Sequence, residues 1–178
     1  KPAVGGIGKG HLVREVDALG GLIGVCSDAA AIHYKLLNRR KGPAVRGPRA
    51  QTDRNIYKAT MQSMLQSYEG ECAHSGGSLT LVEASVDDLL LEEDGEKPRT
   101  SGVVTDRGDI TASSVVLTTG TFLRGRVHIG KSSRPAGRYT REEDQVEPPA
   151  TKLAMRLNDF NFPMSRLKTG TPPRLDAS

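Results

Sequence analysis

Residues 5–10 read Gly-Gly-Ile-Gly-Lys-Gly. Four glycines in six positions suit neither a strand nor the interior of a helix, so the chain must turn tightly there. Immediately afterwards Leu12, Val16, Leu19 and Ile23 recur at helical spacing and mark one apolar face. Glycines let a backbone pass close to a ligand, and the free N–H groups of a helix start attract anions. Residues 1–19 are therefore a candidate phosphate cradle, built from Gly5, Gly6, Gly8 and Lys9. The cradle fits neither of the common glycine signatures. A Walker A loop ending at Gly8-Lys9 requires glycine where Ala3 stands and Ser or Thr where Gly10 stands. A dinucleotide fingerprint starting at Gly6 requires a third glycine where His11 stands, and no strand is expected before it. The competing reading is a flexible turn ahead of a surface helix.

Charge sharpens the choice. Residues 1–58 carry 11 Lys/Arg against 4 Asp/Glu, a balance of +7, whereas the remainder carries 14 against 17, or −3. A basic front suits a polyanion such as a dinucleotide or RNA, although a modest excess can simply solvate a surface. At 178 residues the chain has the length of one domain. It starts at Lys1 rather than Met, and it is expected to be a piece of a longer protein. No apolar run approaches membrane-spanning length. Cys26 and Cys72 form no CxxC and are expected to be reduced thiols engaged in packing. His11, His33, His74 and His128 show no metal-ligand spacing, so no metal site is expected.

Taken in order, the pattern predicts a helix over 9–30, weakened at Gly20-Gly21, then a strand over 32–38. Residues 39–49 hold Arg39, Arg40, Lys41, Arg46 and Arg49 among two prolines and two glycines, which predicts an exposed cationic loop. A helix over 50–68 follows, with Ile56, Tyr57, Met61, Met64, Leu65 and Tyr68 inward. The pattern then turns to β. Short strands are expected at 79–82 and 86–92, a turn at Glu93-Asp94-Gly95-Glu96, and return strands at 101–105 and 109–112. Ser114 to Gly120, SVVLTTG, is a continuous apolar run of the kind found in a parallel sheet covered on both faces. Ligands of open α/β sheets lie beyond the carboxyl ends of such strands, which makes Thr118, Thr119 and Gly120 candidate cofactor contacts. A short strand at 127–129, a polar acidic stretch at 139–147 and a helix over 151–160 complete the chain.

Four blocks then carry a resemblance: PAVGGIGKGHLVREVDALGG (2–21), LNRRKGPAVRGPRAQTDR (37–54), VVLTTGTFLRGRVHIG (115–130) and RLKTGTPPRLD (166–176). In content, order and spacing they resemble the tRNA uridine 5-carboxymethylaminomethyl modification enzymes, also called glucose-inhibited division protein A or MnmG. The resemblance implies an α/β fold, a partial glutathione-reductase-like FAD-binding domain with a parallel sheet and a small β-meander. Residues 1–178 would be part of that domain. The family's N-terminal GxGxxG strand-turn-helix, its NADH-binding insertion and its C-terminal helical region would lie outside them.

The function implied is FAD-dependent modification of C5 of the wobble uridine of tRNA, of the carboxymethylaminomethyl or taurinomethyl type. It is carried out with an MnmE-type GTPase, with NADH and methylenetetrahydrofolate as further cofactors and a homodimeric full-length protein. Val86 matches the position whose backbone meets the adenine side of FAD. Thr118-Thr119-Gly120 matches the flavoprotein turn near FAD, and Gly5, Gly6, Gly8 and Lys9 lie where the chain passes the flavin and its pyrophosphate. Ala150 stands where the family usually has a serine touching the cofactor. No catalytic residue is assigned within the chain, which alone is expected to be a poor catalyst. A mitochondrial location is expected from the NRRKGPAV wording and the longer 139–147 stretch, with a bacterial cytoplasm as the alternative. Two other functions stay open: a folate- and FAD-dependent tRNA uracil methyltransferase, and a truncated product that binds RNA or the GTPase without catalysis.

Overall fold

The computed structural model describes residues 3–74, 77–93, 97–137, 139–140 and 145–170. They fall into two compact units, Lys1–Leu81 and Val82–Ser178.

In the first unit a short strand not expected before the glycine turn, β1 (Ala3–Gly5), leads through that turn into α1 (Lys9–Ala18) and α2 (Ile23–Ala29). The single helix expected over 9–30 is thus two. Gly20 takes φ 79°, and a side chain at Gly21 would run into Val16, so the pair breaks the helix rather than weakening it. β2 (Ala31–Leu37) and β3 (Gly47–Thr52) follow, and the three strands form an antiparallel sheet in the order β1-β3-β2. The predicted cationic loop is therefore shorter than 39–49. It contains a 3-10 turn at Pro43–Val45, and Gly47, Pro48 and Arg49 already belong to β3. A proline fits this middle strand because β1 ends at Gly5, opposite Arg49, and the Pro48 carbonyl accepts from Gly6 N–H at 2.9 Å.

α3 (Arg54–His74) starts later than expected, because Ala50–Thr52 is strand and Asp53 caps the helix. The Asp53 carboxylate accepts from the N–H groups of Asn55 and Ile56 at 2.8 and 3.0 Å. Tyr57, Met61, Met64 and Leu65 are half-buried on its inner side, whereas Ile56 and Tyr68, expected there too, are exposed. Cys26 is fully buried with its Sγ 3.6 Å from Met64 Sδ, and burial pushes its thiol pKa up. It packs; it is not an activated nucleophile. The α1 stripe of Leu12, Val16 and Leu19 is exposed, since no described element covers it.

In the second unit β4 (Val86–Glu92), β5 (Arg99–Thr105) and β6 (Gly108–Thr111) form the expected antiparallel meander. Thr105 closes its second turn by donating Oγ1–H to the Gly108 carbonyl at 2.6 Å. Most of the Glu93–Glu96 turn lies outside the described residues. The short strand at 127–129 is present as β7 (Arg126–Ile129), and it pairs with an unforeseen β8 (Ser132–Pro135) around Gly130, at φ 58°. In the polar stretch β9 (Tyr139–Thr140) pairs with β10 (Gln145–Val146). α4 (Lys152–Asp159) buries Leu153 and Ala154, as its periodicity requires.

The mixed α/β class holds, but two expected strands do not form ladders. Residues 79–82 and the 114–120 run are irregular, unpaired and largely exposed, with Val116 at 84%. An apolar run becomes a parallel strand only between neighbouring strands, and no described strand pairs with these segments. The parallel contact among the described residues is one isolated bridge, Leu123 with Ala150.

Candidate functional site

The glycine turn is explained first by packing. Gly5 takes φ 110°, and a Cβ there would lie 2.9 Å from Arg49 Cα and collide with the Pro48 carbonyl. Gly6 and Gly8 have φ 85° and 79°. Gly8 N–H donates to His11 Nδ1 at 3.3 Å, and the Lys9 ammonium donates to the Ala3 carbonyl at 3.1 Å. The cavity beside the turn, reached by Gly6 and Gly10, is only about 10 Å³. That is room for about one water. The four expected residues thus sit together, with Lys9 exposed over β1.

The second unit holds the larger space. A cavity of about 400 Å³ opens between the start of β4 and the segment leading into α4. Val86 and Ala150, far apart in sequence, both line it, together with Phe122, Asp87 and Lys152. The volume falls in the range of small-molecule sites, roughly 300–1,000 Å³. Ala150 N–H donates to the Phe122 carbonyl, and the Ala150 carbonyl accepts from Arg124 N–H, both at 3.1 Å. Its backbone is therefore already engaged, and what it offers the cavity is its methyl group.

A second cavity of about 460 Å³ is lined by Gly120 and Thr121, by Leu123 and Arg124 next to Phe122, and by Asn158 and Arg166. Of the three turn residues expected at a cofactor, Gly120 (φ 62°) lines this second cavity. Thr118 and Thr119 line neither.

The rim of the first cavity is locked by charge. Lys152 Nζ lies 2.7 Å from Asp87 Oδ2, and the Arg156 guanidinium grips Asp88 with two bonds of 2.7 Å. Consecutive strand residues ordinarily point to opposite faces, but the β4–β5 register slips between Val86 and Asp88. This bulge lets both carboxylates reach Lys152 and Arg156, one helical turn apart on α4. The Arg156 hydrogen bonds hold the Asp88 carboxyl below the usual carboxylate range, and the bond to Asp87 pushes the Lys152 ammonium up. Sequence reasoning missed these residues and Phe122, because a bulge and pairings across so many residues leave no local signal.

A pH prediction follows from the sign of the Asp88 shift. A lowered carboxyl pKa adds stability above the unfolded value of about 4, and that stability is lost as pH falls through the lower folded value. Asp88→Asn should therefore melt a few degrees below the unmodified protein at neutral pH, and the two should converge in acid. Parallel melting curves at every pH would contradict this.

Among the described residues no helix is long and apolar enough to cross a membrane, and no group of three His, Cys, Asp or Glu is placed to hold a metal ion. Meander, bulge-locked helix and paired cavities define a mixed α/β protein with a small-molecule-sized site. The family model described as Glucose inhibited division protein A matches residues 1–178, and the chain belongs to that family.

Among relatives, the chain is 52% identical over 176 residues to the tRNA uridine 5-carboxymethylaminomethyl modification enzyme MnmG of Granulibacter bethesdensis, covering 98% of this chain and 26% of the relative. Among solved structures it is similar to Aquifex aeolicus GidA. The form I crystal gives a TM-score of 0.74 at 39% identity, and the form II crystal 0.71 at 38%. Both comparisons cover 97% of this chain and 26% of the solved one, so the chain spans about a quarter of the length of the proteins it matches.

Proposed function

We propose that residues 1–178 are part of the FAD-binding domain of a tRNA-modifying flavoenzyme that acts on C5 of the wobble uridine. It would work as a homodimer with an MnmE-type GTPase and draw on NADH and methylenetetrahydrofolate. The observation that carries this reading is the 400 Å³ cavity that joins Val86 to Ala150. Two positions expected at the cofactor from family likeness alone line one space of suitable size.

The residues present fit one end of such a ligand. Phe122 and Pro149 supply apolar wall, the Ala150 methyl supplies contact, and Lys152 supplies a cation at the rim. Bound FAD would supply the redox chemistry; the chain's part is to bind and orient it. Gly5, Gly6, Gly8 and Lys9 are proposed to lie where the chain passes the flavin and its pyrophosphate, with the exposed Lys9 ammonium as the cation. Thr118, Thr119 and Gly120 are proposed to lie near FAD. The modification is of the carboxymethylaminomethyl or taurinomethyl type, in a mitochondrion or in a bacterial cytoplasm.

A second reading, RNA binding without catalysis, is favoured by one observation. Among the described residues Arg39, Arg40, Lys41, Arg46 and Arg49 form no ion pair with a carboxylate. The deciding measurement is the visible absorption spectrum of the purified full-length protein, with the 178-residue chain alongside. A flavin spectrum in the full-length protein is expected, with little or none in the shorter chain. Folded full-length protein with no flavin would overturn the cofactor reading and favour the second.

A further inference from the structure

We propose that Arg124 and Arg166 form a phosphate-binding pair in the second cavity, which takes the phosphate of a nucleotide. Three observations carry it.

The first is charge. Two guanidinium groups and no carboxylate line this cavity, whereas Asp87 and Glu147 line its neighbour. Among the described residues neither Arg124 nor Arg166 forms an ion pair with a carboxylate, unlike Lys152 and Arg156 nearby. An arginine fork matches the oxygens of a phosphate with two parallel hydrogen bonds, and among the described residues neither fork grips a carboxylate.

The second is backbone conformation. Arg124 is held at φ 45°, in the left-handed region that a residue with a side chain enters only when its surroundings impose it. They do so from both sides. Arg124 N–H donates to the Ala150 carbonyl at 3.1 Å, and the Arg124 carbonyl accepts from Arg166 Nη2 at 3.0 Å. The two arginines are thereby tied together through one backbone carbonyl, and among the described residues no other partner takes the remaining N–H groups of either guanidinium.

The third is the lining. Leu123 and Met164 give an apolar surface against which a base can lie, and Thr121, Asn158 and Ser165 supply neutral donors and acceptors. Apolar surface, neutral polar groups and paired cations in about 460 Å³ suit a nucleotide better than a bare inorganic anion.

The identification of the ligand as a nucleotide rests on the function proposed above; the anion site does not. The phosphate has two possible sources, a bound dinucleotide or an RNA strand, and the test separates them. In the full-length protein, Arg166→Gln, Arg166→Lys and Arg124→Gln are each titrated with FAD after flavin removal and with an unmodified anticodon stem-loop RNA. Melting temperature serves as the folding control. Arg166→Gln should weaken one ligand by tenfold or more, as loss of a charge-assisted hydrogen bond does, with Arg166→Lys in between.

Loss of FAD affinity alone assigns the site to the cofactor. Loss of RNA affinity alone, with a salt slope shallower by about one, assigns it to the RNA backbone. Arg124→Gln keeps both backbone bonds and should reproduce the loss, which covers the case in which an Arg166 variant misfolds. Folded variants that bind both ligands as the unmodified protein does would overturn the proposal. Unmodified protein that binds no FAD would defeat the cofactor reading, and the RNA titration would still test this site.

Discussion

Gly5→Val is expected to separate β1 from β3 and to cost about 3 kcal/mol or more of stability. The backbone at Gly5 sits at φ 110°, and any Cβ there meets the Pro48 carbonyl and the Arg49 backbone rather than a side chain that could move aside. A valine adds a second branch to that collision. The strand it would displace is only three residues long and pairs Ala3, Val4 and Gly5 with Gln51, Ala50 and Arg49. It has little ladder to spare. Gly8→Ala is the matched control. Gly8 also has positive φ, 79°, but nothing lies within 4 Å of a Cβ placed there, so only backbone strain of about 1–2 kcal/mol applies. Chemical denaturation of the full-length variants checks the contrast. Equal losses at the two positions would show that the close approach to β3 is not what fixes Gly5.

Ala150→Trp is expected to lower flavin retention by tenfold or more while leaving the melting temperature within a few degrees. The indole would enter a cavity of about 400 Å³ that now holds only the alanine methyl at that point. The backbone bonds of residue 150 to Phe122 and Arg124 do not depend on its side chain, so they should survive. Flavin content measured by visible absorbance, with the melting curve beside it, separates a filled site from a damaged fold. Ala150→Ser makes the complementary change: it adds a hydroxyl at the same place and should hold flavin at least as well. A tryptophan variant with normal flavin content would place the cofactor elsewhere.

Elements whose partners are local were legible in the sequence. β4, β5 and β6 follow one another through short turns, and α4 shows Leu153, Ala154 and Leu157 at helical spacing. The glycine turn was legible too, because four glycines in six residues leave few alternatives. What misled was a pattern whose meaning depends on distant partners. SVVLTTG carries the composition of a buried parallel strand, yet composition cannot supply the neighbouring strands that would make it one. Residues 47–52 misled in the opposite direction. Two turn-forming residues, Gly47 and Pro48, open a strand because the missing proline N–H faces the side where β1 has already ended.

The site was legible as positions and not as a shape. Val86 and Ala150 were expected at the cofactor from family likeness, but that they line one cavity is a property of the fold and not of the local sequence. The lock on α4 depends on a bulge at Asp87, which no period-two or helical count reveals.

The bonds that join the linings of the two cavities have a thermodynamic consequence. Phe122 and Ala150 line one space, Leu123 and Arg124 line the other, and the bonds of Ala150 to Phe122 and Arg124 join the two linings. Two ligands whose sites share a segment are linked wherever one shifts that segment. If filling one space changes affinity in the other by some factor, the second ligand changes affinity for the first by the same factor. Occupancy of either space is then a property of the pair, and an affinity measured with one space empty describes only half of the cycle.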